Sequence, residues 1–265
     1  MPELFNPVFT LPSFLLRVSA GNGADSSSEP SSPDEKVFRV EGGGRTLEIR
    51  YSGVHPEPVI LQNECTLAAV FGAPIFERKI KSYKVCDIIT FDGKIDKEFI
   101  KGLNGEFLII VFSKLKGLLS VANDRFTSIP FYYHVDSADG SITASMFFSD
   151  LWGRLKQDGR LKMSQTSFFE FLWFQRLFGV KTLAEDAFFM PDASVMTFAP
   201  DGKVDTSRYW RRSYEKSIFS LKNHAYIMAE LMKESVRQKT SDGKRYGHFL
   251  SGGMDSRSVL AAFND

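Results

Sequence analysis

Cysteine is scarce. Cys65 and Cys86 are the two in 265 residues. They form no CxxC pair and no regular spacing, which argues against a disulfide framework or a zinc site and reads as two free thiols in a reducing cytosol. Histidine is equally thin. His55, His134, His224 and His248 are scattered, with no H-x-x-x-H or H-E-x-x-H, so they suggest no metal site, and no Ser–His–Asp set follows from spacing. Net charge is also lacking: 33 Lys and Arg against 32 Asp and Glu leave +1. That gives no electrostatic reason to expect nucleic acid or an anionic membrane as partner. No apolar run approaches the roughly 20 residues of a membrane span. The stretch from Met1 to Val18 carries Glu3 and Pro2, Pro7 and Pro12 without a basic leader, unlike a signal peptide. The expectation is a cytoplasmic protein.

Phenylalanine is abundant, with 25 copies in a chain that is 43% apolar. Such a chain can bury the core of one large or two ordinary domains, and its aromatics read first as core. Ser19–Glu35, SAGNGADSSSEPSSPDE, has almost nothing to bury and predicts a mobile loop or linker. From Val37 to about Ser145 the signals are strand-like. Arg45–Tyr51, Cys65–Phe71, Phe107–Phe112, Leu118–Ala122, Phe131–His134 and Ser141–Ser145 are short, apolar or β-branched, with punctuation such as EGGG, FDGK and SADG. Phe107–Phe112 is apolar throughout, as a strand covered on both faces should be.

Helical patterning follows. Ser164–Gly179 has Ser167 and Glu170 at capping-box spacing and a stop at Gly179. Leu221–Arg237 places Leu221, Ala225, Met228, Met232 and Val236 on one stripe, expected to be core. Ser241–Lys244 reads as a turn, Tyr246–Leu250 as a short strand and Ser251–Gly253 as a tight loop. A helix is expected near Ser256, with Val259, Leu260 and Phe263 facing inward.

The order strand, SGG, helix start suits an anion. Glycine allows a group to approach the backbone closely. The N–H groups of the turn and helix start point into one space, where the helix dipole favours negative charge. Ser251 and Ser256 add hydroxyls. Asp255 would repel a phosphate unless Mg²⁺ bridged them, and Mg²⁺ is typically held by one or two carboxylates plus phosphate oxygens. Ser251, Gly252, Gly253, Asp255 and Ser256 therefore read as a loop for pyrophosphate and its metal. It is not a Walker loop, because no G-K-[ST] follows. Five fixed residues match by chance about once in a million windows. A plain strand-to-helix turn would account for the glycines but not for Asp255 between serines.

Ser251–Ser256, SGGMDS, resembles the SGGxDS pyrophosphate loop of the asparagine synthetase family and of related N-type ATP pyrophosphatases. Asn104–Phe107 is similar to that family's N-G-x-F strand start. Asn123–Phe126 with Ile129–Tyr133 resembles its RDxxGxxPLYY segment. Lys181–Leu183 and Tyr209–Trp210 fall where it has K-T-L and R-Y-W. The likeness runs from about Cys65 to the end. It implies an α+β layered αββα domain of the N-terminal-nucleophile type, followed by the first βα unit of an α/β ATP-pyrophosphatase domain. The implied bounds are a variable segment with a disordered loop at 1–36, a glutaminase-like domain at 37–205 and the start of the ATP-binding domain at 206–265. The implied activity is ATP-dependent amide formation on a small-molecule carboxylate, with ATP and Mg²⁺ held at the loop.

Several family features are missing. The family's glutaminase uses a cysteine directly after the initiator Met, and here Pro2 stands there. Its R-G-P-D segment and acidic S-D-x-E-V element are absent. Val70–Phe76 replaces V-N-G-E-I-Y-N, which contacts glutamine. These departures imply a glutaminase-like fold without nucleophile or glutamine pocket, as in relatives that close β-lactam or lasso-peptide rings with an amine of the substrate. Arg257 stands where serine is commoner, and either adds positive charge near phosphate or is a solvated helix residue. Adenine, the carboxylate and any catalytic Lys or Glu would be bound by residues beyond Asp265, so no catalytic residue is assigned. A companion chain completing the synthetase domain and a non-catalytic split product are the remaining alternatives.

Overall fold

The computed structural model describes residues 13–21, 33–54, 56–76, 89, 93–241 and 243–263. The chain divides into two compact units: Met1–Ala73 with Tyr83–Arg211, and Pro74–Ser82 with Arg212–Asp265.

The first unit is built on two six-stranded sheets. One has the order β10-β8-β9-β1-β3-β2, from Ala187–Phe189, Tyr132–Val135, Ile142–Ser145, Ser13–Ala20, Arg45–Ser52 and Lys36–Gly42. The other has the order β12-β11-β7-β6-β5-β4, from Val204–Arg208, Ser194–Phe198, Leu118–Asn123, Leu103–Ser113, Thr66–Phe76 and Val59–Gln62. Alternate residues of the strands meet between the sheets. Phe14, Leu16 and Val18 of β1 join Leu67, Ala69 and Phe71 of β5 and Leu108, Ile110 and Phe112 of β6 in a single core. Phe14 and Phe71 bridge the sheets, their ring centres 5.2 Å apart. The intervening β6 residues Phe107, Ile109 and Val111 are buried as well, so this strand is covered on both faces, as its unbroken apolar run predicts.

Helix α1 is Lys97–Lys101, capped by Asp96, whose carboxylate accepts from the N–H of Glu98. Helix α2, Phe148–Gln157, lays Leu151 and Leu155 over the outside of the first sheet beside Ala184 and Ala187. The unit is therefore a layered α+β domain, as expected.

Some local expectations are revised. Ser19 and Ala20 close strand β1 rather than opening a loop, and residues 22–32 lie outside the described residues, as do Pro2, His55 and Cys86. Cys65 is exposed and free. Helix α3 spans Gln165–Phe174 and is capped by Ser164, whose hydroxyl accepts from the N–H of Ser167 at 3.2 Å. Glu170 instead accepts from the N–H of Phe178 and pairs with Lys181 at 2.7 Å, so it ties down the segment after the helix. The stop comes at Gln175 in the left-handed conformation, not at Gly179.

In the second unit, helix α4 spans Leu221–Thr240 and helix α5 spans Met254–Phe263. Neither has a buried residue. The stripe expected to be core is open: Leu221 is 87% exposed and Met228 70%. Tyr246–Leu250 is irregular rather than a strand. The two revisions share a cause. A strand needs a neighbour for its hydrogen bonds and a helix needs a sheet for its apolar face, and the second unit has no sheet among the described residues.

Candidate functional site

The loop at the start of α5 is organised by Ser256. Its hydroxyl lies 2.9 Å from the Ser251 hydroxyl, accepts from the N–H of Ser251 at 3.2 Å and donates towards the carbonyl of Ser251 at 3.0 Å. Ser251 in turn accepts from the N–H of Gly253 at 3.3 Å. The two serines thus tie the ends of a tight turn, with Gly252 and Gly253 at its crest. His248 braces the same turn, its Nε2–H donating to the carbonyl of Ser256 at 2.8 Å. Arg257 is folded back, Nε donating to the carbonyl of Gly253 at 3.3 Å. Asp255 sits exposed in the first turn of α5.

The glycines do not serve backbone geometry here. Neither has a positive φ. A Cβ on Gly252 would meet nothing within 4 Å, and one on Gly253 only the Ser251 hydroxyl at 3.3 Å. What their lack of side chain leaves is access to a backbone whose first-turn N–H groups have no acceptor within the helix. Ser251, Gly252, Gly253, Asp255 and Ser256 are thus brought together on one exposed loop. A single carboxylate beside such N–H groups fits the donor set of Mg²⁺ shared with phosphate oxygens.

In the first unit, the other stretches of the resemblance converge on one buried knot. Asp124 is 2% exposed. Its carboxylate accepts from the N–H groups of Phe107 at 3.2 Å, Phe126 at 2.8 Å and Ser128 at 3.0 Å. Arg125 donates to the Asn104 side chain and to the carbonyl of Lys101, and its guanidinium stands 5.9 Å from the Trp210 ring centre. The Tyr209 hydroxyl donates to the carbonyl of Asn123 at 2.8 Å. Burial, reinforced by the Asp124 charge, pushes the Tyr209 phenol far up. The Asp124 carboxylate, two Arg125 N–H groups and the Tyr209 hydroxyl are all taken up by structural partners, so the knot fixes a corner of the sandwich. Lys181 is spent on Glu170, and the Thr182 hydroxyl donates to the carbonyl of Ala187.

A feature that residue-by-residue reading missed lies where the resemblance places glutamine. Phe71 and Gly72 line a cleft of about 260 Å³ together with Phe14, Val54, Ile129 and Met146. Every lining side chain among the described residues is apolar. The signal was available in the replacement of Asn-Gly by Phe71-Gly72.

No family model matches the chain. Two curated relatives do. A putative glutamine-hydrolysing asparagine synthetase 2 of Methanocaldococcus jannaschii is 24% identical over 185 residues, 67% of this chain and 34% of the relative. Asparagine synthetase 3, glutamine-hydrolysing, of Bacillus subtilis is 27% identical over 177 residues, 62% of this chain and 26% of the relative. The chain thus spans about a third and a quarter of their lengths. Among solved structures, the glutamine phosphoribosylpyrophosphate amidotransferase of B. subtilis, complexed with ADP and GMP, aligns at a TM-score of 0.38 and 7% identity over 75% of this chain and 50% of its own. The allosteric regulatory enzyme of purine biosynthesis aligns at 0.41 and 8% over 94% and 63%. Likeness at that level says nothing of what this chain does. The sequence similarity to two glutamine-hydrolysing asparagine synthetases supports a relationship of this chain to the asparagine synthetase family.

Proposed function

We propose that the chain is the N-terminal part of an asparagine-synthetase-type, ATP-dependent amide-forming ligase. The observation that carries the reading is the Ser251–Ser256 loop, whose two glycines meet no demand of backbone angle or packing and leave room for a ligand against the backbone. In the reaction, a carboxylate oxygen of the substrate attacks the α-phosphorus of ATP. The bond to the bridging oxygen breaks and pyrophosphate leaves with the electron pair. Ammonia or an amine then attacks the acyl carbon, AMP departs, and the nitrogen loses its proton to a base outside the described residues. The loop's part is to hold the pyrophosphate through backbone N–H groups and the Ser251 and Ser256 hydroxyls as negative charge accumulates on it. Asp255 would hold Mg²⁺, which supplies positive charge that offsets repulsion between its carboxylate and the phosphates.

The rest of the nucleotide site comes from further synthetase-domain sequence, carried on the same polypeptide or on a companion chain. That placement accords with the relatives being three to four times as long as the part matched. The apolar lining that the described residues give the cleft at the glutamine position favours an amine or free ammonia over glutamine as nitrogen source. A cyclase or amidating enzyme of the β-lactam or lasso-peptide type is the form of the reading that cleft supports.

The test is ATP–pyrophosphate exchange by the native, complete synthetase over a panel of carboxylic acids. One acid should stimulate exchange, and Asp255→Asn should slow it by about a hundredfold or more, the scale of losing one preorganised electrostatic contact. Exchange unaffected by Asp255→Asn would sink the loop assignment.

A further inference from the structure

Arg257 is the one cationic side chain between Ser251 and Phe263, and its residue type alone allows two roles, a charge near phosphate or a solvated helix residue. Its conformation favours the first. Arg257 is the fourth residue of α5. Long helical side chains lean back over the preceding turn, towards the helix start. Here that lean is fixed. Nε donates to the carbonyl of Gly253 at 3.3 Å, so the guanidinium stands over the glycine turn. This bond uses Nε alone. The two Nη groups have no partner among the described residues, and no carboxylate there pairs with the guanidinium.

Stability of the fold gives no reason for this placement. A cation near a helix start works against the dipole, which favours negative charge there. The serine that is commoner at this position carries no such penalty. An anion on the loop reverses the balance. Asp255 and a pyrophosphate together carry more negative charge than one Mg²⁺ offsets, and the loop otherwise offers only N–H and hydroxyl groups. A guanidinium suits phosphate oxygens because it presents two N–H groups side by side, and the anchor through Nε leaves both Nη groups available for them. We propose that Arg257 is a further pyrophosphate-binding residue, its Nη groups donating to oxygens of the pyrophosphoryl group, whether free or still part of ATP. The inference rests on the ligase reading, which makes the loop a phosphate site, and adds the residue that takes up the charge the metal leaves over.

The test is equilibrium binding of magnesium pyrophosphate to the native, complete synthetase, followed by calorimetry with neither ATP nor substrate acid present. Arg257→Gln keeps a side-chain N–H that can reach the Gly253 carbonyl but removes the charge. It should weaken binding about tenfold or more, the scale of losing a charge-assisted hydrogen bond. Arg257→Lys restores the charge without the fork and should bind within about threefold of the wild type. AMP, which lacks the pyrophosphoryl group, should bind the wild type and both variants alike. No saturable binding by the wild type, undiminished affinity in Arg257→Gln, no recovery in Arg257→Lys, or a parallel loss for AMP would each overturn the proposal. The two readings fail separately. Full pyrophosphate affinity in Arg257→Gln, beside an exchange still slowed by Asp255→Asn, would remove Arg257 and leave the ligase standing. Charge-dependent binding with no exchange for any acid would do the reverse.

Discussion

One carboxylate, that of Asp124, ties strand β6 to the turn at residues 124–128. It receives N–H groups from β6, from its own turn and from Ser128, all inside the protein. Replacing it by Asn keeps the shape but turns one acceptor oxygen into a donor facing other donors. Asp124→Asn should therefore cost about 2–3 kcal/mol of the first unit's stability in urea denaturation, the scale of a buried polar group left unmatched. Tyr209→Phe removes one neutral hydrogen bond, to the carbonyl of Asn123, and should cost only about 1 kcal/mol. Equal effects would mean that the carboxylate is not the anchor. This knot was half legible in the sequence. The resemblance marked Asn104–Phe107, Asn123–Tyr133 and Tyr209–Trp210 as scaffold. That Asn104, Asp124 and Tyr209 meet in one knot although they span a hundred positions of the chain is a fact of three-dimensional closure, which spacing along a chain does not carry.

Strand β3 shows the same limit for an element. Glu48 lies opposite Arg17 of β1 and Arg39 of β2, with Arg50 further along its own strand. Burial pushes the Glu48 carboxyl up, but hydrogen bonds from Arg50 and Arg39 outweigh it and leave the net value below the ordinary 4.5. A carboxyl lowered on folding stabilises the fold above its unfolded value and loses that contribution as pH falls through the folded one. Glu48→Gln should accordingly melt below the wild type at pH 7, and the gap should close as pH is taken below about 4.5. A gap that stays constant to lower pH would show that the arginines do not act on this charge. Legibility among strands followed length of signal. Arg45–Tyr51 and Phe107–Phe112 were marked by dense β-branched or apolar runs. Strand β1 alternates Phe14, Leu16 and Val18 with Ser13, Arg17 and Ser19, but Leu15 interrupts the period and the Ser-rich run beyond it masks the end. Helix α3 was recognised in the sequence but given the wrong cap and stop, because Ser164 and Ser167 both precede a polar residue at capping distance and only the folded segment after the helix claims Glu170.

For the whole molecule, the two units differ in what they bury. The first closes a two-sheet core around fully buried side chains such as Phe14, Phe71, Phe107 and Phe112. The second leaves Phe249 98% exposed and Leu221 87% exposed, with helices α4 and α5 burying no residue. The sequence pattern placed the Leu221–Val236 stripe and Val259, Leu260 and Phe263 inward and read Tyr246–Leu250 as a strand; without a sheet among the described residues of this unit, neither helix buries a residue and no strand forms there. Backbone opening costs little where few apolar contacts are lost, so the units should part under a protease. Chymotrypsin at low ratio should cut first at Tyr226 or Phe249 and leave a resistant product ending near Arg211. Magnesium pyrophosphate should slow the cut at Phe249 more than the cut at Tyr226, because a ligand held by Ser251–Ser256 stabilises only the state in which that loop is formed. Cleavage inside the sandwich before the second unit is lost would contradict the division of stability. Cutting at Phe249 indifferent to magnesium pyrophosphate, with the order of cleavage otherwise as expected, would leave the fold intact as described and remove the loop from the list of phosphate sites.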